Sequence, residues 1–290
     1  KRLAIRGAPA LGVAGAFGVA LSARSCESDV EFEETVAADA AELISTRPTA
    51  VNLSWGVKKV LMSMENLPPE MAKIMGLFAA KKIAEDDTKI CQELGRNGAK
   101  LLPQIGTVLT HCNAGALACS SWGTALGVVR SAWKMGKNIS VISCETRPLL
   151  QGSRLTAFEL ARDKISVTTI IDSEAAYLMQ QGKIDAVISM NDNMAAGALE
   201  VVKDNPEFDD MLAYGVDGTA EACLLIQDGL MTSTCLQSAI DLADLNMATV
   251  HKLLTGEETQ IDTDIDAVLI NADNVAEYVE MYKANGQITE

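Results

Sequence analysis

Short β-branched runs alternate with helical segments from about residue 104 to the end of the chain. The segments between most of these runs have roughly ten to eighteen residues, with apolar positions at helical spacing. Alternation of this kind predicts a parallel sheet with helices on both faces, because parallel neighbours need a crossover connection that is usually a helix. The predicted strands lie in TVLTHC, ISVISC, SVTTII, DAVISM, MLAYGV, MTSTCL and DAVLI.

The first hundred residues predict a different, mainly helical domain. Apolar residues recur at helical spacing in VEFEETVAADAAELI and in MAKIMGLFAAKKIAEDDTKICQELGRNGAKLL. The uncharged run 7–23 follows basic residues, as in a secretory signal, but Pro9 and four glycines dilute its apolar character. A buried helix is therefore the favoured interpretation. The sequence predicts an α/β protein with a helical domain at 1–100 and an α/β domain at 101–290.

Charge and cysteine usage limit the class of function. The net charge of −15 and the pI near 4.6 argue against sequence-independent binding to nucleic acid or to an anionic membrane, both of which need a positive field. The seven cysteines are odd in number and have no C-x-x-C spacing, which predicts thiols in a reducing cytoplasm. The only two histidines, His111 and His251, exclude a histidine-rich metal site. These limits leave a small molecule as the expected ligand.

Polar residues follow the predicted strands at the edge where such sheets bind ligands, beyond the carboxyl ends. They are His111-Cys112-Asn113, Cys144-Glu145-Thr146-Arg147, Asp172, Asn191-Asp192, Asp217-Gly218 and Gln237.

Two of these stretches can bind phosphate. In THCNAGALA, amides at the start of a helix suit an anion, although Asn113 is equally an ordinary N-cap and Cys112 an inert buried thiol. In CETRPLLQGSRLTAFEL, Arg147 and Arg154 can grip phosphate with paired hydrogen bonds. The alternative for this stretch is a loop held by ion pairs with Glu145.

Two earlier turns have the same character. AIRGAPALG offers backbone amides around Gly7 beside the cation of Arg6, which is a plausible phosphate nest. TRPTAVNL places Arg47 and Asn52 on a similar turn. A structural turn with an exposed arginine is the alternative for both.

Taken together, RGAPALG, RPTAVNL, THCNAGALA, GTALGVVRSA and ETRPLLQGSRLTAFEL resemble the methylthioribose-1-phosphate isomerase family, which includes the regulatory subunits of initiation factor 2B. The resemblance runs from about residue 5 to about residue 188. It implies a Rossmann-like, doubly wound, mostly parallel sheet after the helical domain. It also implies conversion of an aldose 1-phosphate to a ketose 1-phosphate, no metal or organic cofactor, and a homodimer.

The resemblance also implies roles for individual residues. Asp192, in VISMNDNMA, takes the place of the family's catalytic aspartate, with a helix N-cap as its alternative, and Cys112 assists proton transfer. The family's next glycine-aspartate stretch and its asparagine-lysine pair have no equivalent after Asp192, which predicts impaired turnover. The implied substrate-binding residues are Arg6, Gly7, Ala8, Arg47 and Gln151, to which the phosphate-gripping Arg147 is added.

From about residue 182 to the end, the chain resembles one lobe of a periplasmic sugar-binding protein of the ribose or galactose type. GKIDAVISMNDNMAAGALEVVKD, LAYGVDGTAEACLLIQDGLMTSTCLQSA and AVLINADNVAEYVE carry this resemblance. It implies that Asn191, Asp217 and Gln237 bind sugar hydroxyls, although Asp217 is also well placed as a helix cap.

The two resemblances meet near residues 182–192 and suggest a chimera. Three hypotheses follow: an impaired isomerase of a 1-phosphorylated pentose such as methylthioribose 1-phosphate, a sugar-binding module, or an inactive chimeric scaffold.

Overall fold

The computed structural model describes residues 4–189, 191–202, 206, 211–257 and 265–288. The chain packs as two compact units. The first unit is Lys1–Ile105 with His111–Thr169, and the second unit is Gly106–Thr110 with Ile170–Glu290. None of the helices in the described ranges combines the length and the apolar character that crossing a bilayer requires.

Four helices occupy the amino-terminal hundred residues, which the sequence predicts to be mainly helical. In chain order the helices are α1 (Ala8–Ser25), α2 (Phe32–Thr46), α3 (Val51–Met64), α4 (Pro69–Leu101), α5 (Ala125–Lys134), α6 (Ala157–Arg162), α7 (Glu174–Gln180), α8 (Asp192–Glu200), α9 (Ala220–Gln227), α10 (Ala239–Thr255) and α11 (Val275–Ala284). A 3-10 turn covers Ala116–Ala118, and a π-helical segment covers Gly152–Thr156.

All seven predicted strands are present. They are β1 (Ile105–Thr110), β2 (Asn138–Cys144), β3 (Val167–Ile170), β4 (Ala186–Ile188), β5 (Leu212–Asp217), β6 (Ser233–Leu236) and β7 (Val268–Asn271).

The strands form one sheet in the order β3-β2-β1-β4-β5-β6-β7. The order reverses at β1 and β4, which pair in parallel through Val108–Ala186 and Leu109–Val187. β4, β5 and β6 continue in parallel, whereas β7 is antiparallel to β6. The result is the predicted α/β fold with a mostly parallel sheet. The antiparallel direction of β7 was not predicted, because a short β-branched run has the same pattern in either direction.

Close packing between α1 and α3 positions two of the sequence motifs. A Cβ on Gly56 would lie 2.0 Å from the carbonyl oxygen of Gly12, so the two helices approach backbone to backbone at this point. The helix that begins in RGAPALG therefore lies against the helix that begins in TRPTAVNL. The run 7–23 forms this buried helix, as the favoured interpretation predicted. The fully buried side chains of this helical core include Val19, Val57 and Val60.

The second unit has its own core between strands and helices. Ala186, Ala213 and Ile270 contribute buried strand positions, and Cys223 and Val279 contribute buried positions from α9 and α11. Val268 and Leu269 of β7 are exposed, so this edge strand contributes only Ile270 to the core.

Candidate active site

Cys112 has a left-handed backbone that two threonines hold. Its φ is 64°, which costs a non-glycine residue about 1–3 kcal/mol and needs support from the surroundings. The Cys112 amide donates a hydrogen bond to Thr146 Oγ1 at 2.7 Å. Thr156 Oγ1 in turn donates to the Cys112 carbonyl at 2.6 Å. Both backbone polar groups of this residue are therefore satisfied, and its thiol is partly exposed.

The turn after Cys112 is organised by Glu159, which is only 4% exposed. Its carboxylate accepts hydrogen bonds from the amides of Ala116 at 2.7 Å and Leu117 at 3.3 Å. It also accepts from Asn113 Nδ2 at 3.0 Å. A negatively charged side chain therefore occupies the position that the sequence suggested for a phosphate.

This arrangement corrects two expectations about THCNAGALA. The turn enters a three-residue 3-10 segment, and α5 begins only at Ala125. Asn113 does not cap a helix, since its side chain donates to Thr156 Oγ1 at 3.3 Å and to Glu159. Gly115 is required because a Cβ there would lie 2.3 Å from Glu159 Oε1. The carboxylate has replaced an anionic ligand as the partner of these amides.

Arg130 compensates the buried charge of Glu159. Its Nη2 lies 2.9 Å from Glu159 Oε2, and the exposed fractions of the two side chains are 11% and 4%. Arg130 also donates through Nε to Asp163 at 2.6 Å and through Nη1 to the carbonyl of Trp122 at 2.6 Å. A buried ion pair with its remaining donors satisfied fixes the geometry of the turn that it supports.

The RGAPALG motif lies against the same turn. Gly7 has φ 94°, and a Cβ there would lie 2.5 Å from the carbonyl oxygen of Ala118. Arg6 and Ala8, on either side, are exposed. The first unit therefore brings this motif to the end of THCNAGALA. Arg47 terminates α2 and is partly exposed.

Gln151 and Arg147 lie in the segment that supplies the two threonines. Gln151 precedes the π-helical segment, and its Oε1 is buried without a hydrogen-bond partner in the described ranges. A buried carbonyl oxygen of this kind normally has a donor, so Oε1 is suited to accept one from a ligand. The Arg147 side chain is exposed.

Asp192, in the second unit, is a buried carboxylate with a defined set of partners. It is 1% exposed, and it accepts from the Thr219 amide at 2.7 Å and from Thr234 Oγ1 at 2.5 Å. It is the first residue of α8, yet these bonds connect it to the start of α9 and to β6. These contacts give Asp192 a structural role as the link between neighbouring elements.

Asn191, Asp217 and Gln237 lie at one edge of the second unit. They stand at or after the carboxyl ends of the adjacent parallel strands β4, β5 and β6. Asp217 has φ 121°, and its carbonyl accepts from the Gln237 amide at 3.0 Å. Thr219, rather than Asp217, caps α9 by accepting the Ala222 amide at 3.2 Å.

Two buried thiols are held in their protonated form. Burial raises the pKa of Cys223 to about 11, with a further contribution from the negative charge of Asp192. Burial also raises the pKa of Cys119 to about 12, helped by the neighbouring Cys91 and Asp87. Neither thiol is a nucleophile at neutral pH.

Sequence reasoning placed Thr146 at the predicted edge but gave no supporting role to Thr146, Thr156 or Glu159, although all three lie inside a motif that it singled out. The spacing of Thr156, Glu159 and Leu160 puts them on one helical face. All three side chains are buried. A polar residue among apolar ones on such a face was the available indication of a buried polar network.

Residues 4–200 match the Initiation factor 2 subunit family, and the chain belongs to that family. Residues 168–258 also match a periplasmic binding protein domain.

Among named relatives, the chain is 52% identical over 191 residues to a putative methylthioribose-1-phosphate isomerase of Methanosarcina acetivorans, covering 65% of this chain and 55% of that protein. It is 50% identical over 207 residues to a protein of the same name from Archaeoglobus fulgidus, covering 70% and 59%. The chain thus spans a little more than half the length of these relatives.

Two solved structures are similar. The translation initiation factor eIF-2B subunit delta from A. fulgidus has a TM-score of 0.65 at 47% identity, with 70% of this chain and 64% of that chain covered. The 5-methylthioribose 1-phosphate isomerase from Pyrococcus horikoshii has a TM-score of 0.66 at 34% identity, with 74% and 63% covered.

Proposed function

We propose that the protein is an aldose-ketose isomerase of a 1-phosphorylated pentose, with methylthioribose 1-phosphate as the substrate. The observation that carries this proposal is the turn at Cys112. Hydrogen bonds with Thr146 and Thr156 hold the backbone of Cys112 in a strained conformation, and its thiol is partly exposed. Strain maintained by several polar contacts is typical of functional sites. The names of the relatives that share this part of the chain supply the substrate class.

The chemistry suits the residue types that the family pattern provides. Phosphate on the anomeric carbon leaves no free aldehyde, so the ring must open before a proton moves between C1 and C2. A carboxyl group and a thiol can supply general acid and base functions for these steps. In this proposal Asp192 is the general acid, and Cys112 assists proton transfer.

The phosphosugar is held by residues of the first unit in this proposal. The backbone amides of Ala116 and Leu117 already donate to the Glu159 carboxylate. We therefore assign the phosphate to arginine side chains and to the backbone turn at Gly7 instead. Gln151 Oε1 is the acceptor for a sugar hydroxyl, which its buried oxygen without a partner in the described ranges supports. The proposed binding residues are Arg6, Gly7, Ala8, Arg47, Arg147 and Gln151.

Incubation with methylthioribose 1-phosphate, followed by detection of the ketose 1-phosphate, tests the function. We expect turnover that falls by about 10²–10⁴-fold in Cys112→Ser, the range for loss of a general acid or base. Cys26→Ser, which changes a thiol in the helical part of the first unit, is the matched control and should keep the wild-type rate. A folded wild-type protein that forms no ketose, or a Cys112→Ser variant with the wild-type rate, refutes the proposal.

Sugar binding by the second unit is the second candidate function. Asn191, Asp217 and Gln237 follow three adjacent parallel strands, at the edge where such sheets bind ligands. Calorimetry with ribose and galactose tests it, with Asp217→Asn as the variant that should remove the heat. Silence in both assays would leave the inactive chimeric scaffold as the explanation.

The remaining parts of the proposal concern the cellular setting. We place the protein in a reducing cytoplasm as a homodimer. No disulfide joins its seven cysteines, all of which lie in the described ranges.

A further inference from the structure

Three donor groups in the first unit lie together and are not used by the proposed reaction. A carboxylate oxygen of Asp87 and the sulfur atoms of Cys91 and Cys119 all lie within 4.8 Å of one another. Asp87 and Cys91 are one turn apart on α4, and Cys119 follows the 3-10 turn Ala116–Ala118. We propose that this group, the thiol cluster, binds a thiophilic divalent cation of the zinc class.

The separations within the thiol cluster are close to those that zinc requires. Bonds of 2.3 Å to sulfur and about 2.0 Å to oxygen in a tetrahedron place two sulfur ligands about 3.8 Å apart and a sulfur and an oxygen about 3.5 Å apart. A change of at most about 1.3 Å per pair brings the three atoms, which lie within 4.8 Å of one another, to that geometry. Rotation of the side chains supplies such a change without moving α4.

The surroundings orient the ligands in the way that metal sites require. The Ser120 amide donates to Asp87 Oδ2 at 2.6 Å, which fixes the carboxylate. A hydrogen bond of this kind to a ligand is a regular part of protein metal sites. Burial raises the pKa of both the Cys91 and the Cys119 thiol, so the cation displaces their protons when it binds.

A cavity beside the thiol cluster gives a route of entry. A cavity of about 730 Å³ reaches Cys119 and Ser120, with Glu85, Thr88 and Lys89 among its other lining residues. Ser120 Oγ is buried without a hydrogen-bond partner in the described ranges. This oxygen, or a water molecule from the cavity, completes a tetrahedral set.

Binding would connect the helical core to the segment that carries the Cys112 turn. Cys119 lies seven residues after Cys112, while the other two ligands belong to α4. The two histidines exclude a histidine-rich site but leave one built from thiolates open. The thiol cluster is independent of the proposed isomerase activity, because none of its residues has a role in that reaction.

The test uses the full chain, reduced and stripped of metal, titrated with cobalt(II). Cobalt bound to thiolates gives a sulfur-to-metal absorption band in the near ultraviolet and intense visible bands in a tetrahedral site. We expect one cobalt per chain, with both sets of bands. Cys91→Ser and Cys119→Ser each remove one of the two thiolates, so each should lower the ultraviolet intensity. Each should also bind at least about 100-fold more weakly, since even indirect neighbours of a metal cost 10–100-fold.

Cys223→Ser removes an equally buried thiol of the second unit and is the matched control, which should keep both bands. Circular dichroism reports whether each variant remains folded, and Asp87→Asn tests the cluster with both sulfurs in place. Absence of a thiolate band in the folded wild-type protein overturns the proposal. So does a band that survives Cys91→Ser and Cys119→Ser unchanged.

Discussion

Replacement of Glu159 by Gln tests whether the buried carboxylate holds the Cys112 turn. Glu159 Oε1 accepts from Asn113 Nδ2 and the Leu117 amide, and Oε2 accepts from the Ala116 amide and Arg130 Nη2. Glutamine offers one acceptor oxygen and one donor nitrogen. In either orientation of the side-chain amide, two of the buried donors then face the amide nitrogen, which is itself a donor.

The expected cost follows from this geometry. Two buried donors left without an acceptor cost about 1–3 kcal/mol each. The charge of Arg130 also loses its buried partner, and breaking a buried ion pair costs about 3–5 kcal/mol. Because these contributions overlap, we expect Glu159→Gln to lower the free energy of unfolding of the first unit by about 3–5 kcal/mol.

Asp163→Asn is the matched control, since Asp163 also binds Arg130 but is 35% exposed. It should cost about 1 kcal/mol or less, as exposed ion pairs do. Urea unfolding followed by tryptophan fluorescence is the assay, because all three tryptophans lie in the first unit. If Glu159→Gln costs no more than Asp163→Asn, the carboxylate does not organise the turn.

Three further predictions concern other parts of the chain. Gly7→Ala should destabilise the first unit by at least about 1–3 kcal/mol in the same urea assay, because φ is 94° and a Cβ would lie 2.5 Å from a carbonyl oxygen; an unchanged midpoint contradicts the packing described. Asp192→Asn should lose turnover. Thr234→Val removes one hydrogen bond to Asp192 but keeps the carboxylate, so it should lower the free energy of unfolding by about 1–3 kcal/mol and retain turnover. Equal turnover in the two variants argues against an acid role. The pKa of Cys223 in the folded state is about 11, above its ordinary value, so the folded state keeps the thiol proton to a higher pH than the unfolded state does. The free energy of unfolding should therefore be highest below about pH 8.5 and should decline as the pH rises towards 11. Urea midpoints followed by circular dichroism should fall less steeply across that range in Cys223→Ala, and a parallel fall in both proteins contradicts the assignment.

The secondary structure could be predicted from the sequence because the information is local. Each β-branched run became a strand, and the long apolar periodicity before residue 102 became α4. The direction of β7 could not be predicted, since an isolated run has the same pattern in a parallel and an antiparallel ladder. The family resemblance supplied the fold class, which the sheet order and the similar structures confirm.

The candidate site was predicted in its motifs but not in its partners. Cys112 was identified from its motif, yet the residues that hold it, Thr146 and Thr156, are 34 and 44 positions away. Glu159 was read as part of a phosphate-gripping stretch, and its contact with the amides of the turn depends on packing that no local pattern encodes. The roles of Asp192 and of the binding residues stay predictions.

The place of β4 in the sheet bears on the overlap of the two family patterns. This strand pairs in parallel with β1 on one side and with β5 on the other, and it lies within residues 168–200, which both family patterns match. A change of side chains in β4 leaves both of these ladders intact, because they are formed by main-chain groups. The stretch that both family patterns match is therefore also one whose place in the sheet depends little on which family its side chains resemble.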